Sequence, residues 1–204
     1  MRIVTARELE SWLASGKVLE QDARGPKVVD LQNGLFLKIF YTRKTPFIAR
    51  LRPPAARFSQ NCQELIRRGI HAPVVEETLW LNRAKGLSAC LYRPLPGRSL
   101  DRLSEEERFS DANLNLLASF ILELHQKGIY FRSLHLGNIL ETNEREFGLI
   151  DVLDLQLRRD PLSKWYVQRN FDHLRNSMAR RNIDFPLDIL LARYQALVQA
   201  AQRG

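Results

Sequence analysis

Lys38 sits inside an apolar run, Leu35-Phe36-Leu37-Lys38-Ile39-Phe40, where a charged amine is unexpected. Much later comes Leu124-His125-Gln126-Lys127-Gly128-Ile129-Tyr130-Phe131-Arg132-Ser133-Leu134-His135-Leu136-Gly137-Asn138-Ile139-Leu140. An aspartate then closes a second apolar run, Leu149-Ile150-Asp151, 13 positions after Asn138. A lysine on a strand is a fixed positive point charge. An amide oxygen and a carboxylate are hard donors of the kind that hold Mg²⁺, and the imidazole of His135 titrates near neutrality. Each residue has an ordinary explanation alone: Lys38 as an edge-strand lysine facing water, Asn138 as a turn residue, Asp151 as a strand-ending cap, His135 as a polar group orienting its loop. All of them in this order are harder to dismiss.

The elements around them follow from turn chemistry and periodicity. Residues 17–31 alternate loosely and break at Arg24-Gly25-Pro26, which predicts two short strands. Asn33-Gly34 between Val28-Val29-Asp30-Leu31 and the Lys38 run is a strong hairpin signal. A helix is expected over 5–14, and Pro53-Pro54 opens another that runs to about Arg68 and stops at Gly69. Residues 74–82 and 86–92 read as a strand pair, and Pro94-Leu95-Pro96-Gly97 as a loop with a short helix after it. Leu114, Leu117, Phe120, Ile121 and Leu124 recur at helical spacing over 111–127, ending at Gly128. Strands are expected at 138–141 and 147–152. The remainder, 162–202, reads as helical with a break near Asp184-Phe185-Pro186. The fold class is therefore α+β, with a cleft expected between a sheet half and a helical half.

With those pieces placed, the chain resembles the protein-kinase-like superfamily: a strand lysine, a loop of the H-R-D-L-x-x-x-N type, and a later metal-binding aspartate. The wording Leu-His-x-x-Gly-Ile, Leu-His-x-Gly-Asn-Ile-Leu, Leu-Ile-Asp is most similar to bacterial lipopolysaccharide core kinases acting on Kdo or heptose. Pro94-Leu95-Pro96-Gly97-Arg98-Ser99-Leu100 resembles the segment after their interlobe hinge. A likeness to proteins labelled toluene-tolerance proteins goes with it. The resemblance spans about 28–151. It implies a bilobal kinase-like fold, with residues 1–92 as a small antiparallel-sheet lobe carrying one helix. Residues 93–204 would form a reduced, mostly helical lobe with the catalytic-loop hairpin, and the two a single kinase-like domain. It further implies ATP and Mg²⁺ as cofactors, Lys38 on the ATP phosphates with Glu64 as its carboxylate partner, and Asn138 and Asp151 on the metal. Ser133, His135 and Arg132 would be the catalytic loop residues.

The same comparison exposes departures. Ser133 occupies the position of the loop aspartate, five before Asn138, and Phe131 that of the loop histidine, while Arg132 is kept. Serine takes no proton at neutral pH, so the usual general base, a group contributing about 10²–10⁴-fold, is missing. His135 is a substitute base or a group facing the γ-phosphate, and Asp154 a group assisting at the metal. No Gly-x-Gly-x-x-Gly occurs; Asp22-Ala23-Arg24-Gly25-Pro26 is at most a short lid. Glu64 lies close to Gly69, and Gln60 or Asn61 are its alternatives.

Bulk properties narrow the partners. The 204 residues carry a net charge of +8, 45% hydrophobic and 26% charged content, which suits one domain or two small lobes and excludes wholesale disorder. No apolar run reaches the roughly 18 residues of a membrane span, and 1–16 lacks the apolar core of a secretory signal. A cytoplasmic protein is expected, with peripheral contact at an anionic inner-membrane surface. Arg43, Lys44, Arg50, Arg52 and Arg57 form one basic stretch. Arg158, Arg159, Lys164, Arg169, Arg175, Arg180 and Arg181 form a second, opposed only by Asp160 and Asp172. They are solvated faces or a rim meeting a sugar or glycolipid acceptor. No nucleic-acid motif is visible, so that partner is not expected. Cys62 and Cys90 read as core residues rather than a disulfide or zinc set. The function expected is phosphorylation of a core sugar; the alternative is a pseudokinase scaffold.

Overall fold

The turn at Asn33-Gly34 forms as its residues require: Gly34 lies at φ 84°, a region glycine enters without steric cost, and Leu31 N–H donates to Leu35 C=O at 3.0 Å. It joins β3 (Gly25–Asp30) to β4 (Phe36–Phe40). In this computed structural model, residues 1–41, 46–105, 110–142 and 146–203 are described. Arg43 and Lys44 of the first basic stretch lie outside them. The chain divides into two units, Met1–Leu95 and Pro96–Gly204.

In the first unit β1 (Arg2–Ile3), β2 (Lys17–Asp22), β3, β4, β5 (Val74–Asn82) and β6 (Leu87–Arg93) form one sheet in the order β1-β5-β6-β4-β3-β2. The expected all-antiparallel sheet needs correcting: β1 runs parallel to β5, pairing Arg2 with Leu79, so the sheet is mixed. A two-residue strand is too short to show any alternation in sequence. Three helices accompany the sheet, against the one that the resemblance implies and the two that turn chemistry predicts: α1 (Ala6–Ser15), α2 (Pro46–Leu51) and α3 (Pro54–Arg67). Thr5 caps α1, its hydroxyl accepting from Glu8 N–H at 3.2 Å.

Because successive strand residues point to opposite faces, β4 serves two layers. Leu37 and Ile39 enter a core with Val4, Val29, Leu79, Ala89 and Leu91, against Leu9, Trp12 and Leu13 of α1. Phe36, Lys38 and Phe40 face the other way, where Phe58 of α3 packs on Phe40 and Tyr92 with ring centroids 5.6 and 6.0 Å apart.

The second unit holds β7 (Arg98–Ser99), α4 (Leu100–Glu105), α5 (Asp111–Gln126), β8 (Ile129–Phe131), β9 (Ile139–Glu141), β10 (Phe147–Leu149), β11 (Leu155–Leu157), α6 (Lys164–Arg181) and α7 (Leu187–Arg203). Two small sheets result, β10-β9-β7 and β11-β8. Single 3₁₀ turns, Leu136–Asn138 and Val152–Asp154, lead into β9 and β11. The second expected strand, 147–152, stops at Leu149 because Asp151 turns left-handed.

Gly128 ends α5 at φ 67°, and a Cβ there would lie 2.5 Å from Arg158 C=O, so only glycine fits. The buried side of this unit is not wholly apolar. His125, at 3% exposure, meets Tyr194 Oη through Nδ1 at 2.8 Å and Asn170 Oδ1 through Nε2 at 3.2 Å. Burial pushes the His125 imidazole down to about 4, so the neutral ring accepts from Tyr194 and donates to Asn170. Asn170 in turn donates to Phe131 C=O at 2.8 Å, fixing the end of β8.

Candidate functional site

In the first unit Lys38 is half-buried on β4, paired across the ladder with Val28 and Cys90. Its ammonium lies 5.8 Å from the centre of the Phe58 ring. Cys62, one turn after Phe58 on α3, and Cys90 are buried free thiols. Burial pushes the Cys62 thiol up to about 12 and Cys90 up as well, with the positive charge of Lys38 pulling both the other way. Phe58, Cys62 and Cys90 thus give the amine an apolar, thiol-bearing flank.

Glu64 is placed differently from the expectation. At 100° per residue it stands about 200° round α3 from Cys62, and it pairs with Arg67 and with Arg68, the latter at 3.9 Å. Phe58 and Cys62 are the α3 residues beside Lys38. Gln60 is exposed, while Asn61 is half-buried next to Cys62. The i, i+4, i+7 stripe of Phe58, Cys62 and Leu65 was readable in the sequence, and it already turned Glu64 away.

In the second unit the β9–β10 register pairs Ile139 with Leu149. The ladder continues one step, Ile150 N–H donating to Asn138 C=O at 3.0 Å. Asn138 therefore stands opposite Ile150, the residue before Asp151, at one end of the hairpin. Asn138 is buried, and its Nδ2 donates to Ser133 C=O at 3.0 Å, which leaves Oδ1 as the end of the amide able to meet a cation. Asp151 is exposed and holds φ 51°, ψ 42°. A left-handed aspartate costs on the order of 1 kcal/mol, and such residues concentrate at functional sites.

The donor set fits Mg²⁺ bound with a nucleotide. That ion takes one or two protein oxygens and completes its shell with phosphates and water. Among the described residues no group of three His, Cys, Asp or Glu forms a self-sufficient metal cage.

The loop residues fall on either side of this pair. His135 precedes the 3₁₀ turn, its carbonyl accepting from Asn138 N–H at 2.9 Å, and its buried Nδ1 has no hydrogen-bond partner among the described residues. Burial and then the charge of Arg181 hold its imidazole below the ordinary range, against the opposing pull of Asp101 and Asp151. Arg181 donates to Asp101 Oδ2 at 3.2 Å, and that carboxylate oxygen lies 2.6 Å from where a Cβ on Gly137 would stand. Glycine at 137 thus lets an ion pair from α4 and α6 close over the loop. Arg132 is exposed. Ser133 Oγ donates to Asp154 Oδ2 at 3.3 Å.

The sequence reading gave Asp154 as a group assisting at the metal and Arg181 only as part of a basic stretch, and it did not find Asp101 or Asn170. Their only sequence signal is residue type; long-range packing brings them to the loop.

No protein-family model and no curated protein sequence matches the chain. Among solved structures it is similar to the bifunctional kinase-methyltransferase WbdD, with a TM-score of 0.51 at 17% identity over 84% of this chain and 42% of that one. A second WbdD structure gives 0.53 at 15% identity, covering 84% and 43%. WbdD crystallised with a kinase inhibitor gives 0.50 at 18% identity, covering 87% and 45%. The chain spans less than half the length of these solved chains. At such identities the likeness speaks for the fold alone, and the fold is kinase-like.

Proposed function

We propose that this protein is an ATP-dependent phosphotransferase of the lipopolysaccharide-kinase type, placing a phosphate on a hydroxyl of a core sugar. The observation that carries the reading is the hairpin end that sets Asn138 opposite Ile150, the residue before Asp151, in a kinase-like fold. Asn138 Oδ1 and the Asp151 carboxylate would hold Mg²⁺, which would supply positive charge against the phosphates, and Lys38 would supply a further fixed cation to them. The kinase activity of WbdD, and its structure with a kinase inhibitor, support a nucleotide as the ligand.

An anionic glycolipid acceptor fits the exposed Arg158, Arg159, Lys164 and Arg169. Exposed Trp165 stacks its ring 4.8 Å from the Arg169 guanidinium, a pairing suited to an interface of sugar, phosphate and lipid. No described helix is long and apolar enough to cross a membrane, and peripheral contact at the cytoplasmic face is the location that goes with this acceptor. A nucleotide-binding scaffold without transfer is the second reading, favoured by Ser133 at the position of the loop base.

The test is transfer of labelled γ-phosphate from Mg²⁺–ATP to deacylated lipopolysaccharide core oligosaccharides bearing Kdo and heptose. Labelled oligosaccharide from the wild type, absent with Asp151→Asn, is expected. Nucleotide binding with no labelled product would favour the scaffold.

A further inference from the structure

The loop has lost its aspartate, but a carboxylate still stands at that place. We infer that Asp154 is the general base of this protein, acting from the 3₁₀ turn before β11, beside the loop position that Ser133 fills. The inference rests on the phosphotransferase reading and adds to it the residue that takes the proton.

Two independent features of the backbone bring Asp154 there. The β8–β11 register pairs Phe131 with Leu155 and Tyr130 with Gln156, so one step further along the ladder Asp154 falls opposite Arg132, the neighbour of Ser133. The 3₁₀ turn Val152–Asp154 then fixes it one short turn after Asp151. The side chains agree with the backbone. Ser133 Oγ donates to Asp154 Oδ2 at 3.3 Å. A serine carries Oγ where an aspartate would carry Cγ, so the Asp154 carboxylate meets the loop from just beyond the atom that an aspartate would extend. Ser133 is itself held: its carbonyl accepts from Asn138 Nδ2 at 3.0 Å, and the carbonyl of Phe131 accepts from the buried Asn170 at 2.8 Å. Asp154 remains exposed, so an acceptor hydroxyl can reach it.

In the step this allows, the acceptor hydroxyl gives its proton to the Asp154 carboxylate as its oxygen bonds the γ-phosphorus of ATP. The bond from that phosphorus to the β–γ bridging oxygen breaks, and its electron pair leaves with ADP. The carboxylic acid then returns the proton to water. Ser133 positions the base through its hydroxyl and exchanges no proton with the substrate.

The test compares wild type, Asp154→Asn and the double variant Ser133→Asp/Asp154→Asn. Each is read by Mg²⁺–ATP-dependent thermal stabilisation and by γ-phosphate transfer to the deacylated core oligosaccharide. Asp154→Asn is expected to keep its nucleotide-dependent stabilisation while kcat falls about 10²-fold or more. The double variant, with the carboxylate moved across the hydrogen bond, is expected to recover at least about tenfold of that loss. If Asp154→Asn folds poorly, Asp154→Glu keeps the carboxylate and should retain transfer within about tenfold. Transfer by Asp154→Asn at the wild-type rate overturns the assignment and leaves the phosphotransferase reading standing. A wild type that binds no nucleotide, or binds it and transfers nothing, overturns both.

Discussion

Lys38 and the Asn138–Asp151 pair are positioned by opposite means. Around Lys38 the setting is apolar: Phe58 against the amine, Cys62 and Cys90 buried nearby, and a sheet face covered by α3. Around Asn138 the loop is held by polar contacts: the Ser133 carbonyl, Asp154 beyond it, and the Asp101–Arg181 ion pair over Gly137. A cation needs only a rigid strand to carry it, and apolar packing gives rigidity without competing for its charge. Two oxygens that share one ion must also be oriented, and hydrogen bonds orient where packing does not. The first region should therefore fail by losing volume and the second by losing partners.

Phe58→Ala should have the largest effect. It removes a ring 1% exposed that touches Phe40, Tyr92 and the Lys38 amine, and truncations of this type cost about 4 kcal/mol. Urea unfolding would show the loss, and a cost below about 1 kcal/mol would contradict the packing account. Asn170→Ala comes next, at about 3 kcal/mol, because it orphans the buried His125 ring N–H and leaves the Phe131 carbonyl with Leu134 N–H alone as its donor. Asn170→Leu should not restore this stability, whereas a site that wanted only volume would accept leucine.

Acid should find the second unit through His125. Its folded value is about 4 and its unfolded value near 6.5, so the unfolded chain binds the extra proton between those limits. Stability is complete above about pH 6.5 and falls as pH drops toward 4, by about 2–3 kcal/mol in all. Unfolding free energies measured across that window should lose most of this slope in His125→Gln. The smallest effect belongs to Asp101→Asn, which removes a partly exposed ion pair and should cost about 0.5 kcal/mol.

What could be read from the sequence divides along the same line. The β3–β4 hairpin was legible because Asn33-Gly34 is local turn chemistry, and α3 because Pro53-Pro54 opens it and Gly69 follows its end. Lys38, Asn138 and Asp151 stood out as a candidate set because their order and spacing match a known pattern. The β8–β11 pair was not: each strand has three residues, Ile129-Tyr130-Phe131 is apolar throughout, and no short turn joins them. With that pairing unseen, Asp154 read as a group assisting at the metal rather than as a neighbour of Ser133. The His125–Asn170–Tyr194 contacts join three separate helices and leave no periodic trace. Glu64 failed for a different reason, since the resemblance placed it at Lys38 although helical geometry already argued otherwise.

The most direct test of the central claim is a titration of Mg²⁺–ATP against thermal unfolding of the wild type, Lys38→Ala and Asp151→Asn. A ligand at one hundred times its Kd stabilises by about 2.7 kcal/mol, and the wild type should show a shift of that order only when Mg²⁺ is present. Both variants should fold and lose it. An unshifted wild type at millimolar nucleotide, or an Asp151→Asn protein that shifts equally, would contradict the assignment of the site.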